Sequence, residues 1–300
     1  MGLTENQKRL IDAVSSNDIR KAKKCAMACL AEDTTSKNSN FCKRYKNILE
    51  SGGPELIALP QNLNGIVRME DVSGSFIEER YFLSDREDQV FQEILRMQKV
   101  SQKLLQLRIP YLNTTLLYGE SGTGKTTFGR YVAYKTGLPF CYLNFSQLVD
   151  SLMGNTSKNI GKAFEYTSAN PCVFMLDEID CISIRRSSGG SGGSDGEMAR
   201  VTISLMQEFD RLSNNMIIIG ATNRMDRVDE ALLRRFSVKH EVLPLDEAEK
   251  ELFVRKYISD TGLTLPEEIV AEIIQSGTNQ AMLVNLIIKA LAKEIESSEI

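Results

Sequence analysis

The sequence predicts an α/β fold in which a parallel sheet carries helices on both faces, with a small helical module before it and a helical lid after it. Short apolar runs of strand type alternate with helical patterns through the middle of the chain, as expected for a helix-covered parallel sheet. The runs are Thr114–Tyr118, Phe140–Phe145, Cys172–Leu176 and Met216–Gly220. The last two are continuously apolar, as strands buried on both faces require. From about Asp246 onward the pattern is helical throughout.

The first elements in the chain are helical. Residues 1–54 are expected to form the N-terminal module, with Thr4 as a candidate N-cap and Ser51-Gly52-Gly53-Pro54 as its end. This module could dock a partner or pack against the main domain, because amphipathic helices are common to both roles. A connector at 55–80 and a long helix at Asp85–Leu107 then lead to the first strand.

The stretch after the first strand has the clearest chemical signal. Gly119 through Thr126 fit the pattern G-x-x-x-x-G-K-[ST], the phosphate-binding P-loop. Its glycines let backbone N–H groups approach a triphosphate, Lys125 places a cation on the β- and γ-phosphates, and the Thr126 hydroxyl is a Mg²⁺ ligand. The predicted nucleotide-binding residues are Gly119, Glu120, Ser121, Gly122, Thr123, Gly124, Lys125, Thr126 and Thr127.

An acidic run, Asp177-Glu178-Ile179-Asp180, directly follows the third strand. This position after a P-loop fits the Walker B pattern, although a capped helix start would also explain the acidic residues. Asp177 would hold Mg²⁺ through the water shell of the ion, and Glu178 would polarise the attacking water. ATP and Mg²⁺ are therefore the predicted cofactors.

Together these motifs resemble an AAA+ ATPase of the AAA clade, which includes katanin, spastin, FtsH-type proteases and proteasomal ATPases. The resemblance covers roughly residues 80–295. It implies a P-loop NTPase fold of the ASCE/AAA+ type, with an ATPase subdomain at 81–244 and the lid at 245–300.

The resemblance also assigns residues after the fourth strand. Thr222-Asn223-Arg224 looks like sensor 1, in which Asn223 positions the lytic water. Asp229 to Phe236 resembles the second region of homology, which implies that Arg234 and Arg235 are arginine fingers for the nucleotide of a neighbouring subunit. A guanidinium fork suits the charge of a γ-phosphoryl transition state.

Two segments depart from the clade. Leu152-Met153-Gly154 stands where the clade has an aromatic-apolar-Gly pore triplet, so Leu152 and Met153 are predicted to line the pore without aromatic intercalation. Thr278-Asn279-Gln280-Ala281 stands where the clade has a Ser-Gly-Ala-like turn against the adenine. Gln280 in place of Gly changes the local backbone freedom.

Composition limits the function classes. The net charge of −4 argues against a dedicated nucleic-acid binder, and the single histidine, His240, argues against histidine-based catalysis. The six cysteines form no zinc-binding pattern. No apolar run reaches the length of a membrane span and the start of the chain is unlike a signal peptide, so we expect a cytoplasmic protein without a membrane partner.

The leading interpretation is an ATPase that assembles with copies of itself, as a hexamer, and remodels or translocates a protein target. The non-aromatic pore triplet and the small N-terminal module leave open an ATP-dependent assembly switch that regulates a separately encoded protease or nuclease. A DNA-handling AAA+ protein is disfavoured by the acidic balance of the chain.

Overall fold

A computed structural model of the chain describes residues 3–15, 19–33, 38, 42, 45–46, 55–57, 59–109, 111–151, 155–182, 193–212 and 216–298. Its strands are β1 (Glu55–Leu56), β2 (Arg68–Asp71), β3 (Asn113–Tyr118), β4 (Phe140–Asn144), β5 (Val173–Asp177), β6 (Ile217–Thr222) and β7 (Val238–Glu241). Its helices are α1 (Glu5–Ser15), α2 (Ile19–Glu32), α3 (Asp85–Gln106), α4 (Lys125–Thr136), α5 (Phe145–Ser151), α6 (Thr156–Ala169), α7 (Gly193–Arg211), α8 (Glu230–Leu233), α9 (Glu247–Thr261), α10 (Glu267–Ser276) and α11 (Gln280–Ser298). Among the described residues, no helix combines the length and the apolar character needed to cross a membrane.

The chain divides into two compact units. The first comprises Met1–Leu56 and Asp71–Ser75, and the second comprises Ile57–Glu70 and Phe76–Ile300. In the first unit α1 packs against α2. The Thr4 hydroxyl accepts a hydrogen bond from the backbone N–H of Gln7 at 3.3 Å, as expected of the predicted N-cap. The predicted boundaries between module, connector, ATPase subdomain and lid stay predictions.

The sheet of the second unit has the strand order β2-β4-β5-β6-β3-β7. The strands from β4 to β7 in that order pair in parallel, which confirms the predicted parallel sheet. Strand β2 pairs with β4 in antiparallel orientation, which the prediction of a parallel sheet did not include. The edge strand β7 was not among the predicted strands, since its residues alternate between half-buried and exposed positions.

Helices cover both faces of this sheet. Phe174 and Met175 are neighbours on β5, so their side chains point to opposite faces. On one face the ring of Phe174 meets that of Phe164 from α6 edge-on, with centroids 5.1 Å apart. On the other face α4 comes so close at Gly129 that a Cβ there would lie 3.1 Å from both the Met175 sulfur and the Phe140 ring. The prediction of helices on both faces is confirmed.

The three C-terminal helices have a core of their own. The side chains that fill it are Leu245, Phe253, Val254, Ile258, Val270, Ile273, Leu283, Ile287 and Leu291. Helix α9 begins with a capping box, in which the side chains of Asp246 and Glu249 accept hydrogen bonds from each other's backbone N–H. The predicted helical C-terminal region is therefore present.

The register of the sheet decides where polar side chains meet. Tyr118 at the end of β3 lies opposite Thr222 at the end of β6, and Asn144 at the end of β4 lies opposite Asp177 at the end of β5. The carboxyl ends of parallel strands share one edge of a sheet, which is where α/β folds bind ligands. The predicted P-loop, acidic run and sensor segment thus begin at a common edge.

Candidate active site

The loop between β3 and α4 depends on glycine for its shape. Gly119, Gly122 and Gly124 have φ of 139°, 80° and 93°, which are values that residues with a Cβ rarely adopt. A Cβ at Gly119 would also collide with the carbonyl oxygen of Val242. The strand can therefore turn into the loop only without a side chain at this position.

Lys125 is buried at the start of α4. Its Nζ donates hydrogen bonds to the carbonyl oxygens of Gly119 and Glu120, at 2.8 and 2.7 Å. Burial lowers the pKa of the Lys125 ammonium, while the carboxylates of Asp177 and Asp180 act in the opposite direction. The loop thus holds a cation against its own backbone, at the place where the motif requires one for phosphate.

The Asp177 carboxylate at the end of β5 is oriented by three donors. Oδ2 accepts hydrogen bonds from the hydroxyls of Thr126, at 2.9 Å, and Tyr142, at 3.1 Å. Oδ1 accepts one from the backbone N–H of Glu178 at 2.9 Å. Burial is the main cause that raises the pKa of Tyr142, so its hydroxyl keeps its proton as a donor. A hydroxyl and a carboxylate are hard oxygen ligands, so this pair fits the chemistry of Mg²⁺.

Glu178 has an unusual backbone. Its φ of 56° and ψ of 42° lie in the left-handed region, although it is not a glycine. Among the described residues other than glycine, only Arg108 also has a positive φ. A left-handed conformation costs about 1–2 kcal/mol for a residue with a Cβ, and such strain tends to collect at functional sites.

One cavity of about 520 Å³ brings most of the predicted residues together. It is lined by residues 121–127 of the loop together with Asp177, Glu178 and Asn223. Apolar and aromatic side chains, among them Tyr81, Phe82, Val242, Phe253, Ala281 and Val284, also line it. Its volume is in the usual range for small-molecule sites, and its lining combines groups for phosphates with apolar surface for a base.

The lid reaches the loop directly. The backbone N–H of Ala281 donates to the carbonyl oxygen of Gly122 at 3.1 Å. The side-chain amide of Asn279 donates to the carbonyl oxygen of Ser121 at 3.4 Å. Gln280, at the start of α11, lines the cavity, and its Oε1 is buried without a hydrogen-bond partner in the described part of the chain. The segment singled out in the sequence therefore closes one side of the cavity.

The two candidate arginine fingers lie elsewhere. Neither Arg234 nor Arg235 belongs to the lining of this cavity. The side chain of Arg234 is 78% exposed, with Glu230 3.7 Å away. Arg235 donates to the Asp210 carboxylate at 3.0 Å and to the Ala231 carbonyl oxygen at 2.7 Å. The structure thus holds these side chains apart from the P-loop of their own chain.

The remaining predicted site is the pore triplet. Leu152, Met153 and Gly154 lie outside the described residues. Their role in contacting a substrate stays a prediction.

Sequence reasoning missed Tyr142 and Asn144. The signal for them was their alternation on the second predicted strand, which places both on the same face at its carboxyl end. What the sequence alone could not supply was the register that puts Asn144 opposite Asp177.

A comparison with family models matches residues 115–243 to "ATPase family associated with various cellular activities (AAA)". The chain contains an AAA-family ATPase domain. This segment includes the P-loop, the acidic run and the sensor segment, and the family resemblance inferred from the motifs is thereby confirmed.

Curated relatives of this AAA domain come from several kinds of protein. The chain is 31% identical over 229 residues to an ATP-dependent zinc metalloprotease FtsH of Caulobacter vibrioides, covering 75% of this chain and 35% of the relative. It is 42% identical over 123 residues to the peroxisomal ATPase PEX6 of Arabidopsis thaliana, covering 40% and 13%. It is 39% identical over 122 residues to a 26S proteasome regulatory subunit 8 homolog of Naegleria fowleri, covering 40% and 30%. The chain thus spans about a third of these relatives or less.

Proposed function

We propose that this chain hydrolyses ATP with Mg²⁺, assembles with copies of itself, and uses the hydrolysis to remodel or translocate a protein target. The observation that carries the proposal is the convergence of Thr126 and Asp177, 2.9 Å apart, beside Lys125 and Glu178 in one cavity. With Asn223, which lines the same cavity, three separate stretches of sequence supply the parts that phosphoryl transfer to water requires in P-loop NTPases.

Each residue has a distinct task in this proposal. The backbone of the loop and the Lys125 ammonium bind the phosphates, for which Lys125 exchanges its bonds to loop carbonyls for phosphate oxygens. The Thr126 hydroxyl would ligate Mg²⁺ and the Asp177 carboxylate would hold the ion through its water shell; when bound, the ion neutralises charge on the phosphates. Glu178 accepts a hydrogen bond from the attacking water, and Asn223 orients that water from the end of β6.

Assembly follows from the position of the arginines. Arg234 and Arg235 lie outside the cavity of their own chain, so we place them at the nucleotide of a neighbouring copy, and a closed ring, hexameric as in the family, would give every site such a neighbour. Two of the relatives are a metalloprotease and a proteasome regulatory subunit, which supports a protein as the target. Leu152 and Met153 are the residues we propose for contact with it.

The test separates binding from turnover. Lys125→Ala should lose ATP binding, because the phosphates lose their cation. Glu178→Gln should bind ATP as tightly as the wild type but hydrolyse it about 10²- to 10⁴-fold more slowly, the usual contribution of a general base. Nucleotide affinity and phosphate release are measured for each variant, with Lys289→Ala and Glu296→Gln, both exposed on α11, as matched controls.

Undiminished turnover in Glu178→Gln would remove this carboxylate from the reaction. Unchanged affinity in Lys125→Ala would remove the loop from the nucleotide site. Either result contradicts the proposal at the residue concerned.

A further inference from the structure

A line of hydrogen bonds connects the Asp177 carboxylate to helix α5. The Tyr142 hydroxyl donates to Asp177 Oδ2 at 3.1 Å, and the side-chain amide of Asn144 donates to the Tyr142 oxygen at 3.2 Å. The backbone N–H of Gln147, in the first turn of α5, donates to Asn144 Oδ1 at 3.0 Å. We call these four residues, Gln147, Asn144, Tyr142 and Asp177, the tyrosine relay.

The relay has only one possible direction. A backbone N–H can only donate, so it selects the carbonyl oxygen of the Asn144 side chain and turns the NH₂ group toward Tyr142. An NH₂ group also can only donate, so the Tyr142 oxygen must accept from it. The single proton of the Tyr142 hydroxyl is then free to point at Asp177 Oδ2, and it does so. The orientation of the amide is therefore set by the main chain of a helix.

We propose that Tyr142 is a positioning residue for the metal-binding carboxylate, and that Asn144 acts by fixing the direction of the tyrosine proton. The proposal rests on the proposed function, since it concerns the same Mg²⁺-ATP site. Oxygens that ligate a metal are usually held by further hydrogen bonds, and loss of such a bond typically reduces metal affinity or activity about 10- to 100-fold.

The position of Tyr142 explains why its bond matters beside that of Thr126. Both hydroxyls donate to the same oxygen, Oδ2, in this structure. Thr126 is itself a proposed Mg²⁺ ligand, so its hydroxyl must serve the ion as well as the carboxylate. Tyr142 has no such second task, and it belongs to β4, which is paired on both sides, with β2 and with β5. It is thus the donor that can hold Oδ2 in place whether or not the ion is bound.

The experiment measures how much Mg²⁺ strengthens nucleotide binding. The affinity for a fluorescent ATP analogue is determined with Mg²⁺ and again with EDTA. The readout is the dissociation constant in EDTA divided by the dissociation constant with Mg²⁺, which is larger the more Mg²⁺ strengthens binding. In Tyr142→Phe we expect the EDTA value to stay within about twofold of the wild type, because the phenol oxygen does not touch phosphate. The ratio should fall about tenfold, the lower end of the range for such bonds.

A second variant tests the direction of the relay with the tyrosine intact. Asn144→Asp keeps an oxygen for the Gln147 N–H but replaces the NH₂ donor by an acceptor, so the tyrosine proton turns toward the new carboxylate. Its ratio should fall as in Tyr142→Phe. The added negative charge alone would attract Mg²⁺ and so raise the ratio, which means that a fall cannot be a charge effect.

Tyr166→Phe is the matched control, because Tyr166 is half-buried on α6 and lies outside the cavity lining. A wild-type ratio in Tyr142→Phe, or an equal fall in Tyr166→Phe, would overturn the proposal while leaving the Mg²⁺-ATP site intact. If the wild-type chain itself binds no nucleotide, or binds it equally with Mg²⁺ and EDTA, the proposed function fails, and this proposal fails with it.

Discussion

At the scale of single residues, Glu178 combines a proposed catalytic side chain with a strained backbone. It bears the carboxylate that we assign to the attacking water, and its backbone lies in the left-handed region at a φ of 56°. The carboxyl end of β5 leads through this residue into a short 3₁₀ turn, Ile179–Cys181. Glu178 is also part of the cavity lining.

The strain at Glu178 predicts an unusual order of stabilities. Asn tolerates the left-handed region better than Gln, although both lack the charge of Glu. We therefore expect Glu178→Asn to be more stable than Glu178→Gln by up to about 1 kcal/mol, the scale of the backbone penalty. Denaturant unfolding of the two variants measures the difference.

The same pair of substitutions at Glu272 gives the control. Glu272 is exposed in the interior of α10, where Gln has the higher helix propensity and should be the more stable variant. If the Gln variant is the more stable one at both positions, the backbone of Glu178 is not strained.

Residues differ in how far the sequence predicts them. Lys125, Thr126 and Asp177 were predictable because each belongs to a local motif whose spacing is set by one loop or one strand end. Tyr142 was not, since its partner Asp177 comes from another segment of the chain. Motif chemistry is local, whereas the groups that orient a motif are brought in by the register of the sheet and the packing of the lid.

At the scale of elements, an ion cluster attaches the antiparallel strand β2 to helix α4. The carboxylate of Glu70 on β2 is fully buried, and Arg68 lies 2.6 Å from its Oε1. From α4, the Nη2 of Arg130 lies 3.0 Å from Oε2. The guanidinium of Arg130 also lies over the ring of Phe140, 5.5 Å from its centroid. The antiparallel strand is thus held by charge as well as by its backbone ladder.

Removal of Arg130 should therefore destabilise the fold. Arg130→Met leaves a buried carboxylate with Arg68 as its remaining ion partner, and we expect a loss of about 3 kcal/mol, the lower end of the range for breaking a buried pair. The matched control is Arg255→Met, whose two ion pairs, with Glu251 and Glu267, are on the surface. That change should cost clearly less, because exposed ion pairs contribute little to stability.

Denaturant midpoints of the two arginine variants, measured at low and high salt, check this expectation. Equal losses would mean that the cluster around Glu70 contributes no more than an ordinary surface pair.

Strands that are buried on both faces were predictable from the sequence. The central strands β5 and β6 read as continuous apolar runs because both of their faces are covered. The edge strand β7 was harder, because its residues alternate between half-buried and exposed positions. An edge strand is selected by the neighbour that pairs with it, and that information lies outside its own residues.

At the scale of the whole molecule, the arginines outside the cavity predict shared active sites. If Arg234 and Arg235 act on the nucleotide of a neighbouring copy, their double substitution to Ala should lower turnover by about 10³- to 10⁵-fold, as for other arginine fingers. Lys125→Ala should be inactive for a different reason, since it cannot handle ATP. Mixing the two inactive proteins would create interfaces that pair an intact loop with intact arginines.

We expect activity to return partly on mixing, with a dependence on mixing ratio and total protein concentration. Phosphate release measures the recovery, and native mass measurement verifies that mixed assemblies form. Mixed assemblies without recovery would place the arginines in cis or make them structural. In that case Arg235 would keep its hydrogen bond to Asp210 and would not exchange it for the nucleotide of a neighbouring copy.

The hydrogen bond between Ala281 and Gly122 has a kinetic consequence. It joins the first turn of the last helix to the loop that we propose binds phosphate. If this bond has to open for a spent nucleotide to leave, we expect the residence time of ADP to depend on how often the lid opens as well as on how tightly the loop holds two phosphates. A chain whose lid opens more often would exchange nucleotide faster while its chemical step stays the same. The overall turnover rate could then be changed by substitutions far from the catalytic residues.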